Sequence, residues 1–481
     1  MCIIIAIVKL GSSTDVACSF SLSDNYGYGC LLYGVRYYNP DTILVINGTH
    51  LSGKEDTDVV YLRITGSQLN FFPKMFMETF PNLVRIDAEY ASLTTLDGVM
   101  DNCASLESFY LYGNKIAELG AGVFKKCTNM IHLDLQKNVI KKIDQNAFEG
   151  LAKLKILLLN NNQLTECHAF TFLHLSNINQ LSLVGNKLTA LHKISFTNLN
   201  NLEKLNLATN QFTKIDRELF ASLKNLKQLE MYNNKLTELD PEVFKTLSNL
   251  EMLNVRTNII PSIDPSTFSS NIKLTSLNLY ANQLTELHPN LFKNLVNLKE
   301  LELQNNKIKV LEAETFASLS SLSTLRLESN QINAVERSFF EKLPQLKSMQ
   351  AFGNICIAVN VIINNKDFTD LLQKYEQCFK NHDLTLPTTV ETTTVLTTTV
   401  AITTVATTTI ATTTIATPNP MCPLVDDPKT VVHLPHESDC SKFYKCSHGN
   451  AVLLECMPRL LHWSIALDRC EYPSVAKCTT N

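Results

Sequence analysis

Apolar residues between Val59 and Phe352 recur in one order, Leu-x-x-Leu-x-Leu-x-x-Asn-x-Leu, that restarts every 24 residues or nearly so. The stretches LEKLNLATNQF from Leu202, LKQLEMYNNKL from Leu226 and LTSLNLYANQL from Leu274 show it most cleanly. First positions fall at Val59, Leu83, Leu106, Met130, Leu154, Ile178, Leu202, Leu226, Leu250, Leu274, Leu298, Leu322 and Leu346. They predict about thirteen turns of a solenoid. The Leu-x-Leu portion alternates apolar with polar, which predicts a short strand with one buried face in every unit.

Two further columns keep this phase. The ninth position is asparagine from Asn114 through Asn138, Asn162, Asn186, Asn210, Asn234, Asn258, Asn282, Asn306 and Asn330 to Asn354. A polar residue among so many leucines must be satisfied. Its amide both donates and accepts, so stacked asparagines are expected to bond the backbone of adjacent coils. An unpaired group there would cost on the order of 1–3 kcal/mol. The second column is Phe124, Phe148, Phe172, Phe196, Phe220, Phe244, Phe268, Phe292, Phe316 and Phe340, a predicted aromatic spine between the strand side and the outer side.

These motifs resemble the leucine-rich repeat family, in its 24-residue extracellular class, over roughly three fifths of the chain. The resemblance implies an α/β solenoid, a horseshoe with a parallel β-sheet on the concave face, and an interaction surface rather than an active site. Recognition chemistry is expected at the solvent-facing strand positions. The fifth and seventh hold Tyr110, Tyr112, Leu158, Val184, Glu230, Tyr232, Arg256, Tyr280, Glu302, Arg326 and Phe352. Tyrosine and arginine are the residues most enriched at binding hot spots. Tyr110, Tyr112, Tyr232, Arg256, Tyr280 and Arg326 are therefore the candidate partner surface, set against the plainer reading of ordinary solvated strand positions.

Composition narrows the setting. The net charge of −4 gives no argument for nucleic acid or an anionic membrane. Fourteen cysteines, six of them in the last sixty residues, point to an oxidising, extracellular compartment. Residues 1–13 begin MCIIIAIVKL and read as a secretory signal, although no basic residue precedes the apolar run and Lys9 interrupts it. Residues 14–58 form an N-terminal cap closed by a Cys18–Cys30 disulfide, with an N-glycosylation acceptor at Asn47-Gly48-Thr49. Repeats occupy 59–355. Cys103 and Cys127 each precede the next unit by three residues, so they are expected to stack on adjacent coils and bond. Cys167 stands where other units have Ile143, Leu191 or Ile215, a core position, and is left over once the bridges are assigned; an intermolecular disulfide there is the minority reading. Residues 356–384 form the C-terminal cap, with a helix over KDFTDLLQKYEQC that places Phe368, Leu371, Leu372 and Tyr375 on one side and is pinned by Cys356–Cys378.

From 385 to 420 the composition collapses to threonine with valine, isoleucine and alanine, then Pro418-Asn419-Pro420. Such a tract cannot bury a core and is expected to be a disordered, mucin-like stalk; without sugars, its strand formers could pair. Cys422, Cys440, Cys446, Cys456, Cys470 and Cys478 then enclose a small disulfide-rich β-domain, 421–479. Six cysteines allow fifteen pairings, and spacing alone cannot choose. The cysteine order, with SDCSKFYKCSHGN and LDRCEYPSVAKC, resembles the peritrophin-type chitin-binding domain.

That resemblance implies the pairings Cys422–Cys446, Cys440–Cys478 and Cys456–Cys470, and binding to chitin. A β-linked N-acetylglucosamine chain offers flat C–H faces, amides and hydroxyls, which suit aromatic rings with polar tips. Tyr444 and Trp463 are the leading stacking candidates, then Phe443 and Tyr472, with Asn450 and Asp468 as polar partners. For Phe443 and Tyr472 a role in the small core weighs equally. The chain departs from the family after the fourth cysteine, where MPRLLHW adds a residue, lacks the usual glycine and ends in Trp463.

No GxSxG, HExxH or phosphate-binding glycine loop occurs, and no DxxDxDxE-like carboxylate cluster. His132, His168, His174, His192 and His288 show no ligand spacing. No enzyme activity, cofactor, metal, nucleic acid or membrane span is expected. The reading is a secreted protein that anchors to a chitinous matrix, such as cuticle or peritrophic matrix, and presents the repeat surface to a protein partner. The alternative is a soluble immune protein that recognises foreign surfaces, for which a disulfide-linked dimer through Cys167 would speak.

Overall fold

The computed structural model describes residues 13–39, 43–96, 100–357, 361–362 and 369–384, and five strands beyond 431. It divides into two units, Met1–Val390 and Glu391–Asn481. The signal region before Ser13 and the stalk lie outside the described residues.

The first unit is a solenoid whose sheet has 17 strands among the described residues. Strands Tyr61–Thr65, Arg85–Asp87, Ser108–Tyr110 and His132–Asp134 begin the parallel run, which continues coil by coil to Ser348–Gln350. Each pairs with its neighbour in one register, for example Leu205 opposite Leu229 and Leu229 opposite Leu253. A constant repeat length gives every coil the same path, so like residues stack. The central leucines are buried completely or nearly so. The outer side carries turns and short helices such as Met75–Thr79 and Ala313–Phe316.

The asparagines form a continuous ladder. Asn234 donates from Nδ2 to the carbonyl of Leu207 on the preceding coil at 3.1 Å and to Met231 on its own at 3.0 Å, while its Oδ1 accepts from the Phe212 amide at 3.1 Å. The same three contacts recur from Asn138 to Asn354. The phenylalanines stack as a spine, with Phe124 and Phe148 ring centroids 6.4 Å apart and planes within 5°, while Phe292 and Phe316 tilt to 54°.

The spine changes at its end. Phe316 meets Phe339, at 5.0 Å, while Phe340 turns edge-on to Tyr375 of the cap helix at 5.2 Å. The expected place of Phe340 in the column is thus taken by its neighbour, because the last coil must present an apolar ring to the cap. The cap helix runs Thr369–Asp383, beyond Cys378, since buried Phe379 and His382 extend its inner face. Tyr375 is buried in it, and Phe368 lies outside the described residues. Cys356 bonds Cys378 and is half-buried. At the other end, strands Ser13–Ser23 and Gly27–Tyr33 form an antiparallel hairpin bridged by Cys18–Cys30 and joined to the first repeat strand. Cys103 and Cys127, fully buried, are bonded with Cα atoms 4.7 Å apart.

The eighth position of each unit is a backbone column of positive φ, occupied by Gly66, Gly113, Gly185 and Gly353 but also by Thr209 at 54° and Thr257 at 55°. A β-branched residue is strained there. Thr257→Gly is expected to raise the unfolding free energy by about 0.5–1 kcal/mol, whereas Thr285→Gly, at an ordinary φ, lowers it by a similar amount. Urea unfolding of both variants checks this; equal losses would contradict it.

In the second unit, strands Val432–Pro435, Lys442–Ser447 and Asn450–Glu455 form an antiparallel sheet, and His462–Ser464 pairs with Arg469–Glu471.

Candidate binding surfaces

The repeat strands place their third, fifth and seventh positions on the sheet face around the buried fourth and sixth. Tyr110, Tyr112, Leu158, Val184, Glu230, Tyr232, Arg256, Tyr280, Glu302 and Arg326 are half-buried there, and Phe352 is exposed. They do not act singly. Arg85 stacks its guanidinium between Tyr26 of the cap hairpin, 4.4 Å from the ring, and Tyr110, at 4.0 Å. Its Nε lies 2.9 Å from Asp87, which also accepts the Tyr61 hydroxyl at 2.7 Å. Burial and that carboxylate push the Tyr61 phenol up. Tyr110 also meets His132, ring centroids 4.7 Å apart, and burial lowers the imidazole of His132.

Farther along, Tyr90 packs against Tyr112 and Lys137 covers the Tyr112 ring at 5.1 Å. Arg256 stacks on Tyr232 at 4.5 Å, and Arg326 pairs with Glu302 at 3.1 Å. Glu89 and Glu328 are both held above the usual carboxylate range, chiefly by burial and secondarily by Asp87 and Asp134 for the former and Glu302 for the latter.

Tyr26, Tyr61, Arg85, Tyr90, His132 and Lys137 join this face although they lie outside the fifth and seventh positions of the repeat. Strand alternation alone would have added the third position, where Tyr61, Arg85 and His132 stand. Tyr26 joins only through the pairing of Gly27–Tyr33 with Tyr61–Thr65.

Three further histidines serve as turn acceptors. His168, His192 and His288 share one column with Asp144, Asp216, Asp240 and Asp264, and each accepts through Nδ1 from the backbone amide two residues on, as the aspartates do through Oδ1. At the cap, Glu312, Glu336 and His382 bring ligand atoms within 4.8 Å of one another. Their existing bonds account for them: His382 Nε2 contacts Glu312 at 3.0 Å, and Glu336 accepts from the Ala313 amide and the Ser338 hydroxyl. With Arg337 bonded to Glu376 and Asp383, they lock the cap helix to the last coils.

Cys167 is half-buried and packs against the core, in a column whose members Ile143, Leu191 and Ile215 are themselves among the core's less enclosed residues. Burial pushes its thiol up to about 12. The reactive thiolate is therefore scarce below that pH. At pH 8 Cys167 is expected to alkylate at least about 100-fold more slowly than an exposed cysteine. A non-reducing gel showing a disulfide dimer would contradict this.

In the second unit, Phe443 and Tyr444 occupy consecutive positions of the central strand, opposite Leu454 and Leu453. Asn450 opens the next strand, and Trp463 lies opposite Cys470 in the hairpin. Tyr472, Asp468, Cys422, Cys440, Cys456 and Cys478 lie outside the described residues, as do the three expected pairings.

Stacked parallel coils bearing an asparagine ladder make the first unit a repeat solenoid. Known proteins give the same answer. A leucine rich repeat model matches in five overlapping copies, 104–164, 152–212, 200–260, 248–308 and 296–354, more than half of the chain. The chain belongs to the leucine rich repeat family, and it carries a chitin binding Peritrophin-A domain over residues 427–478. Peritrophin-1 of Anopheles gambiae is 39% identical over 57 residues, which is 12% of this chain and 37% of that protein's length. Among solved structures, a leucine-rich repeat protein of Leptospira interrogans is similar with a TM-score of 0.58 and 25% identity, over 72% of this chain and 88% of that one. The Toll–Spatzle complex of Drosophila contains a chain similar in fold, with a TM-score of 0.59 and 18% identity, over 76% of this chain and 52% of that one. Both recognised domain types are non-catalytic kinds.

Proposed function

We propose that the protein is secreted, attaches to a chitinous matrix through residues 421–479, and presents its repeat sheet face to a protein partner beyond a threonine-rich spacer. The observation that carries this reading is the joining of a Peritrophin-A domain to a leucine-rich array in one chain. Disulfides at Cys18–Cys30, Cys103–Cys127 and Cys356–Cys378 support an oxidising compartment. No helix among the described residues is long and apolar enough to cross a membrane.

Chitin would be held by Tyr444 and Trp463, with Phe443, Tyr472, Asn450 and Asp468 around them. The partner surface would comprise Tyr110, Tyr112, Tyr232, Arg256, Tyr280 and Arg326, extended by Tyr26, Tyr61 and Arg85. The raised thiol of half-buried Cys167 weighs against the soluble, disulfide-dimeric immune alternative. Chitin-bead retention of the full chain beside a chain ending at Leu384 tests the division of labour. The full chain should be retained and the shorter one should pass through; retention of both would place chitin binding elsewhere.

A further inference from the structure

The strand Ile43–Asn47, sequence ILVIN, pairs in parallel with Ser13–Ser23 and forms the N-terminal edge of the long sheet among the described residues. Its residues alternate, with Leu44 buried at 3% exposure and Ile43 and Val45 exposed at 50% and 40%. An apolar edge strand of this kind is a template for pairing with another chain, and proteins blunt such edges with lysine, proline, a bulge or a cover. ILVIN contains no charge and no proline. It does end on the acceptor Asn47-Gly48-Thr49.

The three residues of that acceptor differ in what the fold asks of them. A Cβ on Gly48 would stand 2.5 Å from the Cys18 carbonyl oxygen and 2.7 Å from the Phe20 ring, so packing against the cap hairpin requires glycine. Asn47 and Thr49 are exposed, and neither side chain makes a hydrogen bond among the described residues. Packing thus explains the glycine and leaves the asparagine and threonine without a structural task.

We propose that Asn47 carries an N-linked glycan whose role is to guard this edge, and that the chain without it pairs with a second copy through Ile43–Asn47. The glycan is large, hydrated and attached at the last residue of the strand, where it sweeps the space an incoming strand must enter. The inference rests on the extracellular reading, because the modification occurs only on the secretory route.

The test is secretion of the full chain from insect cells, with glycopeptide mapping at Asn47 and light-scattering mass after size exclusion. Wild type should be modified and monomeric. Asn47→Gln and Thr49→Ala, which remove the acceptor at different residues, should both shift to dimer, with self-association at least about tenfold tighter. Adding Val45→Lys to Asn47→Gln should restore the monomer, because a charge on the edge opposes pairing. Secreted protein with Asn47 unmodified, or unglycosylated variants that stay monomeric, would overturn the proposal alone. Retention of the chain inside the cell would overturn the extracellular reading with it.

Discussion

Replacing Asn234 with alanine is expected to lower the unfolding free energy by about 3 kcal/mol and to broaden or split the array's melting transition. The side chain is buried and closes three bonds across two coils, to the carbonyls of Leu207 and Met231 and from the amide of Phe212. Truncation orphans the Phe212 amide in a place water cannot reach and takes one of two donors from the carbonyls of Leu207 and Met231, which keep Asn210 and Asn258, each loss costing on the order of 1 kcal/mol. Because each coil touches only its neighbours, a weakened junction in the middle lets the two halves melt apart. Asn354→Ala is the comparison. It makes the same bonds but is half-buried at the last coil, so water replaces part of what is lost and the cost is about 1 kcal/mol. Urea unfolding followed by circular dichroism separates the two; equal losses would mean that the ladder is not a central support.

The second large effect is expected on chitin. Trp463→Ala and Tyr444→Ala should each weaken retention by about tenfold, and together abolish it, with disulfides intact. Trp463 lies in the hairpin opposite Cys470, and Tyr444 on the central strand of the neighbouring sheet. The extra residue in MPRLLHW makes Trp463 the sharper probe, since it decides whether the chain's one tryptophan supplies the stacking surface. A Trp463→Ala variant that binds as well as wild type would remove it from the site and leave Tyr444 as the lead residue.

The repeated core was legible because its signals are periodic: a residue type that returns every 24 positions stacks on itself, whatever lies between. Asn234 and Phe244 could be assigned from spacing alone. What spacing could not show is what coils do at their ends. Phe339 replaces Phe340 in the spine because the cap helix brings Tyr375 to that face, a contact between residues in different elements. Arg85 gains Tyr26 across the cap hairpin for the same reason. His168, His192 and His288 showed no ligand spacing because they serve as turn acceptors in a column shared with aspartates, a task that imposes the repeat spacing and nothing else.

Attachment to chitin through the C-terminal module is tested most directly by one binding measurement. The secreted full chain is titrated onto chitin beads and, in parallel, onto cellulose, with soluble chito-oligosaccharide as competitor. Saturable retention on chitin, release by the competitor and passage through cellulose are expected. Passage through both polymers, or equal retention on both, would contradict such attachment and leave the repeat array as the sole basis for function.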